Sequence, residues 1–311
     1  MILKIQELID DAKCYETLRA LRWPDGVHCP RCGFHWITKR GFHTKQPARQ
    51  RYCCQGCEQQ FDDLTGTPLA GHHQPVKVWM LCLYFMGLNL SNQQIAQELE
   101  LNPTDVQAMT TFLRQAIHDQ RQPPQLAGEV EFDEVYIVAG HKGQPAAVQA
   151  AGRPGRRNRL KAQRGRGTLE TEKPPVFGMI QRTGQLILEL LPNVQMKTIQ
   201  PLIQAYVQPD ALIYTDDYTI YARLQEWGYD HKAVNHASRE FARDEDGDGF
   251  HEVHTNTIEG VWSLLRAWLR PHRGISQEKL PLYLAFFEFV HNVRKRGKAL
   301  LPSLLSLLLA P

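Results

Sequence analysis

No apolar run in this chain is long enough to cross a bilayer: the richest, LLPSLLSLLLAP at the C-terminus, is short and interrupted by Pro302. A secretory signal is not expected either, because Lys4, Glu7, Asp10 and Asp11 break the first apolar residues before an h-region can form. Strong charge bias is also missing: 36 basic and 33 acidic side chains leave a formal net charge of +3, so only their distribution is informative. The HExxH pattern of helical zinc proteases is absent, which leaves His231, His236, His251 and His254 without that catalytic role. DEDGDGFHE, residues 244–252, begins like an EF-hand loop but has Thr255 where the bidentate acid belongs, which argues against calcium. Together these absences describe a soluble, cytoplasmic chain with no membrane partner, in which seven cysteines serve as metal ligands or buried thiols rather than disulfides. With 311 residues, 42% of them hydrophobic, it can hold two or three domains and at least one sizeable core.

What is present begins with a helix expected over residues 5–22, with apolar positions at Ile5, Leu8, Ile9, Ala12, Leu18 and Leu21. Two CxxC knuckles follow, Cys29/Cys32 and Cys54/Cys57, separated by slightly more than the usual span of about 15–20 residues. Four thiolates can close a tetrahedron around one Zn²⁺, and a segment with so thin a core needs such a staple. Cys53 could stand in for Cys54 with a poorer knuckle, while Cys14 and Cys82 sit in apolar helical surroundings as core thiols. With its four ligands supplied, the zinc is expected to be structural. Arg31, Lys39, Arg40, Lys45, Arg49 and Arg51 give the module a basic surface suited to a phosphate backbone, or simply to solvent.

Residues Pro75 to His118 read as successive helices, with Ser91 an N-cap and Asn102-Pro103 restarting the chain. Two short helices joined by a tight turn make a helix-turn-helix, or a plain helical connector. In the candidate recognition helix, Thr104, Gln107 and Arg114 are the DNA-contacting candidates. RQPPQLAG, residues 121–128, marks a domain boundary.

Beyond it, EVEFDEVYIVAG alternates as a β-strand and places Asp133 in an apolar pattern, where a carboxylate is costly unless something binds it. PPVFGMIQRTGQ and LILELLPN continue as an antiparallel meander, MKTIQPLIQAYV as a helix, and LIY as a short strand ending at Asp216, with a helical pattern after it. In HTNTIEGVWSLLRAWLR, Glu259 falls near the start of an amphipathic helix, and Arg266, seven residues on, shares its face. That pair alone fits a surface ion pair as well as a metal-and-phosphate site. Asp133, Asp216 and Glu259 together offer the oxygen ligands that two Mg²⁺ or Mn²⁺ ions require for phosphodiester chemistry. Residues 141–167 contain no acid, and Arg153, Arg156, Arg157, Arg159, Lys161, Arg164 and Arg166 form a basic insertion expected to order on DNA phosphates.

The zinc knuckles, EFDEVYIVAG, YTDDYTIY, HTNTIEGVWSLLR and YLAFFEFVHNVRKR resemble the DDE transposases of the IS1595 (ISXO2-like) insertion sequences, over about Cys29 to Arg296. The resemblance implies an α/β fold: a mixed-sheet, RNase H-like catalytic domain (128–298, basic insertion 141–170). Before it would come a zinc ribbon (1–70) and a helix-turn-helix (71–122), and after it a tail (299–311). It implies a catalytic triad at Asp133, Asp216 and Glu259, supported by Asn256 and by Arg266 where lysine is common; some relatives carry asparagine at the third acid. Glu134 and Asp217 are second choices. It further implies binding of terminal inverted repeats, Mg²⁺-dependent cleavage and strand transfer into target DNA by a homodimer or larger synaptic assembly, nucleoid-associated when bound to DNA. A non-catalytic regulator derived from a transposase, or a nuclease of the same fold, are the alternatives.

Overall fold

The computed structural model describes residues 9–150, 166–182, 184–217, 219–235, 240, 242–245, 247–249 and 251–309. The chain forms two compact units, Met1–Gln120 with Val293–Pro311, and Arg121–Asn292.

In the first unit α1 (Asp11–Arg22) is capped by Asp10, whose carboxylate accepts the Ala12 N–H at 2.7 Å, while residues 5–8 of the expected helix lie outside the described residues. Three short strands follow as an antiparallel meander: β1 (Ile37–His43), β2 (Gln46–Cys54) and β3 (Gln60–Asp62). Their core is small, built on Trp23, Tyr52 and Phe61 with Cys29 and Cys54, and the Tyr52 and Phe61 rings stack at 5.2 Å. A polar anchor supports it. Buried Asp63 accepts from Arg19 at 2.8 Å, the Tyr52 hydroxyl at 3.0 Å and the Gln50 N–H at 2.6 Å.

The helices α2 (Val76–Gly87), α3 (Asn92–Leu99) and α4 (Pro103–Asp119) begin where the capping residues predict. Ser91 and Gln94 form a reciprocal capping box, and Asn102 accepts the Thr104 N–H at 2.8 Å with Pro103 at the first helical position. α3 and α4 are joined by polar side chains as well: Asn92 donates to Gln107 at 2.6 Å and accepts from Thr110 at 3.1 Å. Within the expected tail, residues 301–309 make a helix instead.

In the second unit the sheet runs β6-β5-β4-β7-β8, from β4 (Glu129–Tyr136), β5 (Pro175–Gln181), β6 (Leu186–Leu190), β7 (Leu212–Asp216) and β8 (Asp230–Val234). The first three strands in sequence pair antiparallel, whereas β4, β7 and β8 are parallel, and this is the RNase H-like mixed sheet. Strand β8 was not evident in the sequence, and the run after Asp216 is made of 3₁₀ turns, Thr219–Arg223 and Gln225–Trp227, rather than an α-helix. A short helix α5 (Pro145–Ala150) lies between β4 and β5, and α6 (Met196–Tyr206) between β6 and β7. The pair β9 (Ala242–Arg243) and β10 (Val253–His254) leads into α7 (Asn256–Leu269), and α8 (Leu280–Val293) closes the unit. α9 (Leu301–Leu309) belongs to the first unit and buries Leu304, Leu305, Leu308 and Leu309.

Period-2 alternation sorts the sheet's side chains. Val130, Phe132, Phe177, Met179, Ile187 and Ile213 pack with Ile199, Ile203 and Tyr221 on one face. Val135, Val176, Ile180, Leu186 and Leu188 pack with Ile258, Trp262 and Leu265 of α7 and with Leu284 and Phe287 of α8 on the other. The close approach of α7 depends on Gly178: a Cβ there would stand 2.3 Å from the Trp262 ring and 2.8 Å from Ile258 Cδ1. Gly178→Ala is therefore expected to lower the chemical-denaturation midpoint, at a cost of about 1–3 kcal/mol from overpacking. An unchanged midpoint would show that α7 can be displaced freely.

Candidate active site and zinc centre

The four knuckle thiols meet. Sγ of Cys29 lies 3.6 Å from that of Cys57, and Cys32 lies 3.7 Å from Cys54 and 3.4 Å from Cys57. All four fall within 4.8 Å of one another. A Zn–S bond of about 2.3 Å sets a tetrahedral S–S edge of about 3.8 Å, so the donor set and its spacing fit one zinc ion. Cys53 lies outside this group, its thiol directed at the Cys54 and Glu58 carbonyls at 3.8 and 3.9 Å. Cys14 and Cys82 are buried thiols.

The acids arrive from three elements. Asp133 is the fifth residue of β4 and points to the α7 face. Its Oδ2 accepts the Trp262 indole N–H at 2.8 Å, and its Oδ1 accepts the Glu134 N–H at 2.7 Å. Asp216 ends β7, and it shares the Asp133 face because Tyr214, two residues earlier, pairs with Glu131, two residues before Asp133. Glu259 is exposed in the first turn of α7. Burial above all, with the charges of Asp216 and Glu259 adding to it, raises the Asp133 carboxyl to about 6 against the lowering by Trp262 and the Glu134 amide. Asp216 and Glu259 are thus near enough for their charges to act on Asp133, although among the described residues the three acids' oxygens are not gathered within 4.8 Å as the thiols are. An all-carboxylate donor set suits hard divalent cations.

Glu134 points to the opposite face, where the Tyr221 hydroxyl donates to it. Burial raises it to about 7, with Asp133 and Asp216 adding to the rise and Tyr221 and Arg166 opposing it. Asp217 is exposed and accepts from Asn235 at 2.9 Å. A carboxylate whose folded value is raised binds more protons folded than unfolded, so its stabilising share is complete below the unfolded value and is lost as pH rises through the folded one. For Asp133 that window runs from 3.8 to about 6. Relative to wild type, Asp133→Asn should therefore gain stability between pH 4 and 7.5 in buffer without divalent cations, by on the order of 3 kcal/mol. Denaturation at both pH values measures it, and a pH-independent difference rules it out.

Residues 125–292 match the ISXO2-like transposase domain, and residues 9–60 match the transposase zinc-ribbon domain. The chain belongs to the ISXO2-like transposase family. It is 32% identical over 309 residues to an uncharacterized protein in transposable element ISH50 of Halobacterium salinarum, covering 98% of this chain and 99% of that one. It is also 32% identical over 105 residues to an uncharacterized transposase-like protein of Haemophilus influenzae, covering 33% of this chain and 77% of that one. Among solved structures it resembles slightly a simian T-cell lymphotropic virus intasome in complex with PP2A regulatory subunit B56 gamma (TM-score 0.29, 10% identity, 67% of each chain). A second is the Mos1 mariner paired end complex with Mn (TM-score 0.21, 15% identity, 70% of this chain and 78% of that one). Neither adds to what the sheet order and the family match establish.

Within this transposase-family chain, several expected DNA contacts need revision. Arg114 is only 1% exposed and directs a guanidinium N–H at the Thr110 carbonyl, so it belongs to the buried stripe of α4 and cannot meet a phosphate. Gln107 is exposed but engaged, accepting from Asn92 and donating to Thr111 at 3.1 Å, while Thr104 is exposed. Arg49 pairs with Asp62 at 2.7 Å, which removes it from the basic surface. Arg166 is exposed and close enough to lower Glu134, whereas Arg153, Arg156, Arg157, Arg159, Lys161 and Arg164 lie outside the described residues, as does His236. Asn256 is the first residue of α7 rather than its cap, which is Thr255; Asn256 is exposed, and its N–H points at His254 Nδ1, 3.3 Å away. Arg266 is exposed and lines a cavity of about 370 Å³ with Tyr136, Leu269, Arg270 and Ile275.

Sequence reasoning missed Trp262, Gly178 and Glu131. Trp262 could have been found from its place one turn beyond Glu259 on the same helix, and Glu131 from its i, i+2 relation to Asp133. Nothing local marks Gly178. Among the described residues no helix is long and apolar enough to cross a membrane.

Proposed function

We propose that this chain is a DDE transposase that binds the terminal inverted repeats of its element, cleaves at the ends and joins the released 3′-hydroxyls to target DNA. What supports this reading is that Asp133 and Asp216 lie on one face of the paired parallel strands β4 and β7, that α7 packs on that face with Glu259 in its first turn, and that the charges of Asp216 and Glu259 both act on the Asp133 carboxyl. Asp133, Asp216 and Glu259 would hold two Mg²⁺ or Mn²⁺ ions, which supply an activated water or hydroxyl and stabilise the leaving oxygen. The chain's own contribution is to fix those carboxylates. Trp262 and the Glu134 amide orient Asp133, leaving further lone pairs on both its oxygens for a ligand. Exposed Arg266, on the helix of Glu259, would neutralise a backbone phosphate, with Asn256 beside the site. The zinc ribbon and the helix-turn-helix segment, with Thr104, would recognise the terminal repeats, Arg166 would add a phosphate contact, and pairing two ends calls for a dimer or larger assembly.

The test is incubation of the full chain with end-containing and target DNA, with Mg²⁺ and without it. Mg²⁺-dependent nicking at the ends followed by joined products is expected. Nicking without joining would make it a nuclease, and binding without nicking a regulator; either result overturns the proposal.

A further inference from the structure

Between β4 and the start of α7 lies a buried polar cluster that the proposed chemistry does not use. Glu131 is wholly buried on β4, on the same face as Asp133 and one side-chain repeat before it. Its Oε2 accepts the backbone N–H of Ile258 at 2.9 Å, and its Oε1 accepts the Thr257 hydroxyl at 2.8 Å and the Arg182 Nε–H at 2.9 Å. Helix α7 needs this, because Thr255 at its N-cap makes no side-chain capping bond. The cap is therefore delivered from another element, by a carboxylate at the positive end of the helix dipole.

Arg182 extends the cluster. Its guanidinium donates to the His254 carbonyl at 3.0 Å and lies 3.8 Å above the Tyr214 ring. His254 Nδ1 completes the cluster, lying 3.3 Å from Glu131 Oε1, 3.3 Å from the Asn256 N–H and 3.4 Å from the Arg182 guanidinium. Each element bearing a proposed acid is thus tied in just before that acid: β4 through Glu131, two residues before Asp133; β7 through Tyr214, two before Asp216; α7 through Thr257 and Ile258, immediately before Glu259.

We propose that Glu131, held by Arg182, is a positioning residue that caps α7 from β4 and so sets Glu259 against Asp133 and Asp216 for divalent-cation binding. This rests on the catalytic reading above only for its consequence, since the cap itself is a property of the fold.

Two variants test it in the full-length protein. Glu131→Gln removes the charge facing the helix start and Arg182; Thr257→Val keeps the shape and deletes one bond, so it remains informative should the first not fold. Amide exchange over residues 256–262 should quicken at least about 10-fold in Glu131→Gln and about 3-fold in Thr257→Val, with β5 and β6 unchanged. The Mg²⁺ concentration giving half-maximal thermal stabilisation should rise by about 10-fold and 3-fold respectively, while affinity for end DNA stays within about 2-fold. Unchanged exchange at the start of α7 in a folded variant overturns the cap. Faster exchange with an unchanged Mg²⁺ midpoint overturns the positioning role and leaves Glu131 merely structural. Should Asp133→Asn retain full cleavage, the catalytic reading fails separately, and the exchange measurement still decides the cap.

Discussion

Asp133→Asn, Asp216→Asn and Glu259→Gln should each lower end cleavage and strand transfer by about 10³-fold or more, the scale of removing a preorganised group from a reaction centre, while end binding persists. Each swap keeps the shape and deletes one negative charge. The site has little to compensate with: Asp216 and Glu259 already act on Asp133, and its two oxygens are oriented by Trp262 and the Glu134 amide. Glu134→Gln and Asp217→Asn are the controls. Glu134 faces Tyr221 across the other side of the sheet, and Asp217 is engaged by Asn235, so both should retain cleavage within about 10-fold of wild type, on the view that a rate follows the groups that meet the reacting charge. Electrophoretic cleavage assays on labelled ends, with binding measured in parallel, decide the matter. If any one of the three variants cuts as well as its control, the assignment of that acid is wrong; if all three do, the reaction uses another site.

The parts of this arrangement that the sequence makes legible are those whose physics is local. Two CxxC knuckles declare a tetrahedral thiolate site because the spacing within each pair is set by metal geometry. Asp133 declares itself because a carboxylate inside an alternating apolar strand needs a reason to be there. Ser91 and Asn102-Pro103 announce helix starts through bonds to residues two or three positions away. What the sequence hides depends on distant partners. Glu131 reads as one more acid in EVEFDE until Arg182 and the α7 amide, 51 and 127 residues away, are brought to it. Strand β8 hides because DHKAV at a sheet edge is too polar and short to stand out. Arg114 was misplaced for a different reason: it stands four residues after buried Thr110 and eight after buried Val106, so helical periodicity already put it on the inner face, and its charge obscured that.

Removing the metal from the zinc ribbon should unfold that ribbon while leaving the acid site folded. Among the described residues the buried core there is Trp23, Tyr52 and Phe61 with two of the thiols, edged by partly buried Val27 and Ile37, too little for a three-stranded meander to stand alone, whereas zinc binding to such thiolates contributes about 10–16 kcal/mol at neutral pH. The Asp63 anchor would survive metal loss, but it ties α1 to β2 and does nothing for the knuckles at residues 29–32 and 54–57. Cys32 is exposed, which gives a chelator a route to the ion. A strong chelator should therefore release one zinc per chain, and amide protection over β1, β2 and β3 should collapse. Protection across β4, β5 and α7 should hold, since those elements lie in a separate compact unit with its own cores. Cys54→Ser should reproduce the loss without chelator, and Cys53→Ser should not, because the Cys53 thiol is turned away from the cluster. Native mass spectrometry and hydrogen exchange read both outcomes; a chain that carries no zinc, or whose ribbon stays protected after zinc is stripped, would disprove the structural role.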